Sequence, residues 1–105
     1  MYVGDNSSVL LECRSDFFGF IERQGPYGKW YGPYGGGATY SSHSTINQQL
    51  PAELRNRLEL VPTSTPRHYH TYSLRINAFS TSDEGNYTCM TRRMLKIYNV
   101  YVKGK

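Results

Sequence analysis

The chain has 105 residues, 38% of them apolar, with a formal charge of +4. That length suits one domain, expected over residues 1–105, with a modest core that a covalent staple would help. No apolar run approaches the ~20 residues that cross a bilayer. The basic residues are scattered, with Arg92-Arg93 the only adjacent pair, so no nucleic-acid partner is expected.

No basic and apolar leader of the secretory type is visible. Met1 stands directly before strand-like sequence, so we expect an excised, mature extracellular segment with an added initiator methionine. Any membrane association would then run through an anchor outside this sequence. Two cysteines, Cys13 and Cys89, lie 76 positions apart. Zinc sites use closely spaced pairs with further ligands, and redox motifs place two residues between the cysteines. Neither pattern occurs, which leaves a long-range structural disulfide. Closing so long a loop stabilises a fold by about 4–5 kcal/mol in the chain-entropy model, and it requires an oxidising compartment.

In chain order, strand signals dominate. Val9, Leu11 and Cys13 alternate with Leu10 and Glu12, so one face can turn inward. Phe18 to Gln24 is a second run, followed by the turn signal Gly25-Pro26-Tyr27-Gly28. Lys29-Trp30-Tyr31 can pair back on it as a hairpin, which Gly35-Gly36-Gly37 interrupts, and Ala38 to Ser42 reads as a short edge strand. Leu50, Leu54 and Leu58 recur every four residues, but Pro51 limits any helix to one turn near Pro51 to Leu54, where proline suits the first position. Arg57 to Val61 reads as a strand and Pro62 to Pro66 as a turn. Tyr72, Leu74 and Ile76 alternate with Ser73, Arg75 and Asn77. Tyr87, Cys89 and Thr91 alternate likewise, and Tyr98, Val100 and Val102 mark a last strand. Short strands at this spacing predict an all-β sandwich.

Asp83-Glu84-Gly85-Asn86-Tyr87-Thr88-Cys89 resembles the D-x-G-x-Y-x-C signature of immunoglobulin domains. Val9-x-Leu11-x-Cys13 resembles the run into strand B of that family, and Ser73-Leu74-Arg75-Ile76 its strand E. The resemblance spans almost the whole chain. It implies an immunoglobulin two-sheet Greek-key β-sandwich, and the cysteine spacing favours the variable (V) set, with strands C′ and C″ in the extra length. It implies a Cys13–Cys89 inter-sheet disulfide, a tyrosine corner at Tyr87, a tight strand entry at Gly85, and a pairing of Arg57 with Asp83. The family also places a tryptophan on strand C. Ile21-Glu22-Arg23-Gln24 with Gly25-Pro26-Tyr27-Gly28-Lys29 resembles its W-Y-R-Q-x-P-G-K stretch, which favours Ile21 in the tryptophan position. In the alternative register Trp30 fills it. Lys96-Ile97-Tyr98-Asn99-Val100 stands where rearranged antigen-receptor chains carry F-G-x-G, which argues against such a chain.

Catalytic and metal signals are weak. His68-Tyr69-His70 offers two ligands without a third, and neither G-x-S-x-G, H-E-x-x-H nor a phosphate loop occurs. We therefore expect no catalytic residues, no metal and no cofactor. Two N-x-[ST] sequons, at Asn6 and Asn86, are candidate glycosylation sites. Residues 24–40 concentrate Trp30, Tyr27, Tyr31, Tyr34, Tyr40 and most of the ten glycines, a composition used by binding surfaces. The resemblance implies a recognition module of an extracellular receptor, adhesion or immune protein, docking a protein partner or itself through strands G, F, C and C′. The candidate partner-binding residues are Trp30 and Tyr31 from that Tyr/Gly-rich stretch and, by alternation, Phe20, Glu22, Gln24, Met90, Arg92, Ile97, Asn99 and Tyr101. The alternative is a glycan-binding V-type module of a soluble innate-immune protein, with stacked aromatics holding sugar rings.

Overall fold

The computed structural model describes residues 1–13, 28–63, 71–91 and 95–104. Its strands are β1 (Tyr2–Val3), β2 (Ser7–Leu11), β3 (Lys29–Tyr31), β4 (Thr39–Ser42), β5 (Thr45–Ile46), β6 (Leu58–Thr63), β7 (Thr71–Phe79), β8 (Gly85–Met90) and β9 (Leu95–Val102). One α-helical turn, α1 (Ala52–Arg55), follows Pro51, and 3-10 turns span Tyr34–Gly36 and Thr81–Asp83. The expectations that fall on Phe20, Ile21, Glu22, Gln24, His68, His70 and Arg92 lie outside the described residues.

Two sheets form a sandwich. One runs β1-β9-β8-β3-β4-β5 and the other β2-β7-β6. Neighbours in both sheets are antiparallel except β1, which lies parallel to β9 with Tyr2 opposite Tyr101. Alternation fills the space between the sheets. Val9, Leu11, Leu58, Leu74 and Ile76 turn inward from the smaller sheet, and Trp30, Tyr87, Val100 and Val102 from the larger. Leu54 on α1 and Phe79 at the end of β7 extend this core. The disulfide Cys13–Cys89 ties the sheets together through its centre.

Three local expectations change. β4 is not an edge strand, because β5 pairs outside it. Pro62 and Thr63 continue β6 rather than starting a turn, and Pro62 lies on the edge of its sheet, where a missing N–H is tolerated. Lys29–Tyr31 pairs with β8 and β4, since its core-facing indole needs a central position.

That indole settles the strand register. Trp30 lies opposite Cys89 in the β3–β8 pair and is 2% exposed. Its Nε1–H donates to the Tyr72 carbonyl at 2.9 Å, and its ring stacks on Tyr98 with centroids 6.3 Å apart. Trp30 therefore occupies the core position against the disulfide that the favoured register gave to Ile21. It also leaves the partner-binding set, because a buried ring offers nothing to a partner. The hydrogen bond explains the preference physically: a large apolar surface is buried while its one polar atom is satisfied.

A polar node closes one end of the sandwich. Asp83 is 4% exposed, and both its carboxylate oxygens accept from Arg57, at 2.8 and 2.9 Å. The same carboxylate accepts the Ser80 backbone N–H at 3.0 Å in a capping box. Its backbone carbonyl accepts the Tyr87 hydroxyl at 2.5 Å. Arg57 also donates to the carbonyls of Glu53, Asn77 and Ala78. The hydrogen bond to Asp83 holds the guanidinium pKa above its ordinary value, against the opposing effect of burial. Gly85 sits beside this node at φ 141°, and a Cβ there would come within 2.8 Å of Pro33. Only glycine suits the position on both counts.

Arg57→Ala leaves a buried carboxylate without its partner, and we expect a loss of about 2–3 kcal/mol in urea unfolding. Arg75→Ala breaks only the exposed Arg75–Glu59 contact at 3.4 Å and should cost under about 1 kcal/mol. Equal losses would reject the node as a stability determinant. Burial also raises the Tyr87 and Tyr40 hydroxyl pKa values above 10.0. A raised folded-state value stabilises fully below the unfolded value and is lost as pH rises past it. Unfolding midpoints should therefore be level up to about pH 10 and fall above it, less steeply in Tyr87→Phe. An identical alkaline slope in that variant would contradict the assignment.

Candidate functional site

Inward alternation on one side of a sheet dictates what stands on the other. Tyr87 and Cys89 on β8 point into the core, so Asn86, Thr88 and Met90 point out. On β9, Val100 and Val102 point in, and Leu95, Ile97, Asn99 and Tyr101 point out. Cross-strand register aligns these rows: Met90 faces Leu95, Thr88 faces Ile97, and Asn86 faces Asn99. On the other flank of β8, Lys29 lies opposite Met90 and Tyr31 opposite Thr88. β1 adds Tyr2 beside Tyr101, with ring centroids 5.9 Å apart.

The outer face of the larger sheet thus carries Tyr2, Met90, Leu95, Ile97 and Tyr101, each between 39% and 70% exposed. Polar groups lie among and around them. The Asn86 amide donates to Asn99 Oδ1 at 3.0 Å, and the Thr88 hydroxyl donates to Asn86 Oδ1 at 3.2 Å. Lys29 is exposed at one side, and Tyr31 is half-buried next to it. The outer face of the smaller sheet differs in kind. Arg75 pairs with Glu59 at its centre, Ser8 donates to Asn77 at 2.9 Å, and Leu10 is its exposed large apolar residue. Exposed apolar side chains interspersed with polar ones thus gather on one outer face, while an ion pair occupies the other.

Of the sequence-derived partner set, Met90, Ile97, Asn99 and Tyr101 stand together on this face and Tyr31 lies at its border. Sequence reasoning missed Leu95 and Tyr2. Leu95 follows from the same alternation as Ile97 once β9 is known to begin there. Tyr2 joins only through a parallel pairing with the far end of the chain, for which no local signal exists. Of the two sequon asparagines, Asn86 is exposed on the face itself. Asn6 is exposed where β2 begins, at φ 64°, with its backbone N–H donating to the Phe79 carbonyl.

Among the described residues, no group of three or more His, Cys, Asp or Glu side chains is placed to hold a metal ion. No helix among them is long and apolar enough to cross a membrane.

No family model matches the chain, and no curated protein matches it by sequence. Solved structures do match. A chain from a photo-crosslinking study of multimeric cell-adhesive interactions of VGSC beta subunits aligns over 100% of this chain and 91% of its own, with a TM-score of 0.69 and 22% identity. The Ig1 domain of mouse SynCAM 2 aligns over 96% of this chain and 85% of its own, with a TM-score of 0.61 and 25% identity. The extracellular domain of the voltage-gated sodium channel beta4 subunit, described as a parallel homodimer that explains a role in cell-cell adhesion, aligns over 100% and 84%, with a TM-score of 0.66 and 20% identity. A two-sheet core closed by Cys13–Cys89, together with structural agreement over the full chain, makes the fold of this protein an immunoglobulin-type β-sandwich.

Proposed function

We propose that this chain is an extracellular V-type recognition domain of an adhesion or receptor protein, and that it docks a second copy of itself through the outer face of β9, β8, β3 and β4. The observation that carries the reading is the contrast between the two outer faces: Tyr2, Met90, Leu95, Ile97 and Tyr101 exposed on one, the Glu59–Arg75 pair on the other. Burying such a row would stabilise a complex by roughly 25 cal/mol per Å² of apolar surface removed from water, less the cost of association.

The strand order supports the V-type assignment. β4 and β5 extend the β9-β8-β3 sheet as C′ and C″ extend the G-F-C sheet of variable domains, and β2-β7-β6 match B-E-D. The disulfide supports an oxidising, extracellular setting. Self-docking takes support from the beta-subunit structures, described as adhesive and, for beta4, as homodimeric. A closed pair of copies needs only one self-complementary patch. The alternative of a sugar-stacking surface has lost its tryptophan to the core and has no observation of its own.

The test uses glycan-free protein in sedimentation velocity across a concentration series. Wild type should associate. Ile97→Asp and Tyr101→Asp, each placing a charge in the apolar row, should shift it to monomer with little change in melting temperature. Leu10→Asp on the opposite face should leave association intact. Unchanged association in both face variants, or equal loss in Leu10→Asp, would overturn the reading.

A further inference from the structure

The Asn86-Tyr87-Thr88 sequon falls in the middle of the face proposed to dock. Asn86 lies opposite Asn99, with the Thr88–Ile97 pair on one side of it and Tyr101 two residues along β9 on the other. Its side chain is exposed and its amide points across the outer surface to Asn99 Oδ1. The intervening Tyr87 is buried, so the strand holds Asn86 and Thr88 outward together. The disulfide independently implies the oxidising compartment in which N-linked glycans are added.

We propose that Asn86 is an N-glycan attachment site that gates the docking face: a chain glycosylated there exposes a shielded sheet, and a chain lacking that glycan exposes an adhesive one. This rests on the self-docking reading. Sheets packed face to face lie about 10 Å apart, a gap filled by interdigitating side chains. A branched glycan rising from the centre of one sheet exceeds that gap. In a two-fold pair the obstacle occurs twice, because each copy brings its own Asn86. The same sugar would cover Ile97 and Tyr101 from water-exposed aggregation when no partner is present. A glycan on Asn6, away from this face at the start of β2, carries no such consequence.

The experiment uses chain secreted from a eukaryotic host. Glycopeptide mass spectrometry reads occupancy at Asn86 and Asn6, and sedimentation velocity reads association. Wild type should be occupied at Asn86 and monomeric. Asn86→Gln should associate at least about tenfold more tightly, a change of about 1.4 kcal/mol. Thr88→Ala, which removes the sequon but keeps the Asn86–Asn99 hydrogen bond, should do the same, while Asn6→Gln should behave as wild type. An unoccupied Asn86 overturns the proposal and leaves the docking face untouched. An occupied wild type that associates as tightly as both sequon variants also overturns it, and again self-docking stands. If glycan-free chain of every kind stays monomeric, self-docking fails and the gate falls with it.

Discussion

A β-strand turns alternate side chains to opposite faces, and the Cys13–Cys89 bond fixes which row of each sheet faces the core. Cys89 can reach Cys13 only by pointing between the sheets. That choice sends Tyr87 inward with it and Asn86, Thr88 and Met90 outward. Register then carries the constraint sideways. Trp30 is inward because it pairs with Cys89, and Ile97 is outward because it pairs with Thr88. The character of the outer face is thus a consequence of one covalent link and the period of a strand. A one-residue slip of β9 would bury Ile97 and expose Val100, exchanging core for surface along the strand.

The polar node at Asp83 protects this arrangement at the end the disulfide does not reach. One residue joins the 3-10 turn before β8, the loop before β6 and the tyrosine corner of β8. Arg57 reaches on to the carbonyls of Asn77 and Ala78, where Ala78 adopts φ 52° at the end of β7. An alanine in that conformation is strained, and the guanidinium satisfies the carbonyls that the irregular backbone turns aside. Glu84 next to the node accepts the Val102 N–H at 2.7 Å, which completes β9 past the point where β8 begins. The residues of the D-x-G-x-Y-x-C signature are therefore tied into one structural unit, which is why so short a motif carries so much fold information.

Alternation and that signature made the sandwich, the inward rows of β7, β8 and β9, and the exposed positions Met90, Ile97 and Tyr101 legible from the amino-acid sequence. The failures have specific causes. Arg23-Gln24 and the Pro-x-Gly-Lys-like turn drew the register toward Ile21, yet the decisive quantity was the buried area of the single indole and the carbonyl of Tyr72 waiting for its N–H. A motif match weighs residue identities equally, whereas the core does not. β5, expected only as a C″ strand somewhere in the extra length, could not be located because two residues carry no periodicity, and the pairing of β1 could not be read because its partner lies at the other end of the chain. Tyr40 was grouped with the Tyr/Gly-rich surface, but its ring lies against Gly32 and edge-on to Tyr87, with centroids 5.7 Å apart, inside the core. Composition could not separate a tyrosine that binds outward from one that packs inward.

The proposed self-docking puts the contact on one surface, the outer face of β8 and β9. Hydroxyl-radical footprinting of glycan-free chain, read residue by residue at dilute and at associating concentrations, tests that most directly. The account predicts concentration-dependent protection at Met90, Leu95, Ile97 and Tyr101, with Leu10 and the hairpin-tip residue Tyr34 labelled equally at both. Protection centred on Leu10 or Tyr34, with the β8–β9 face labelled alike throughout, would contradict it.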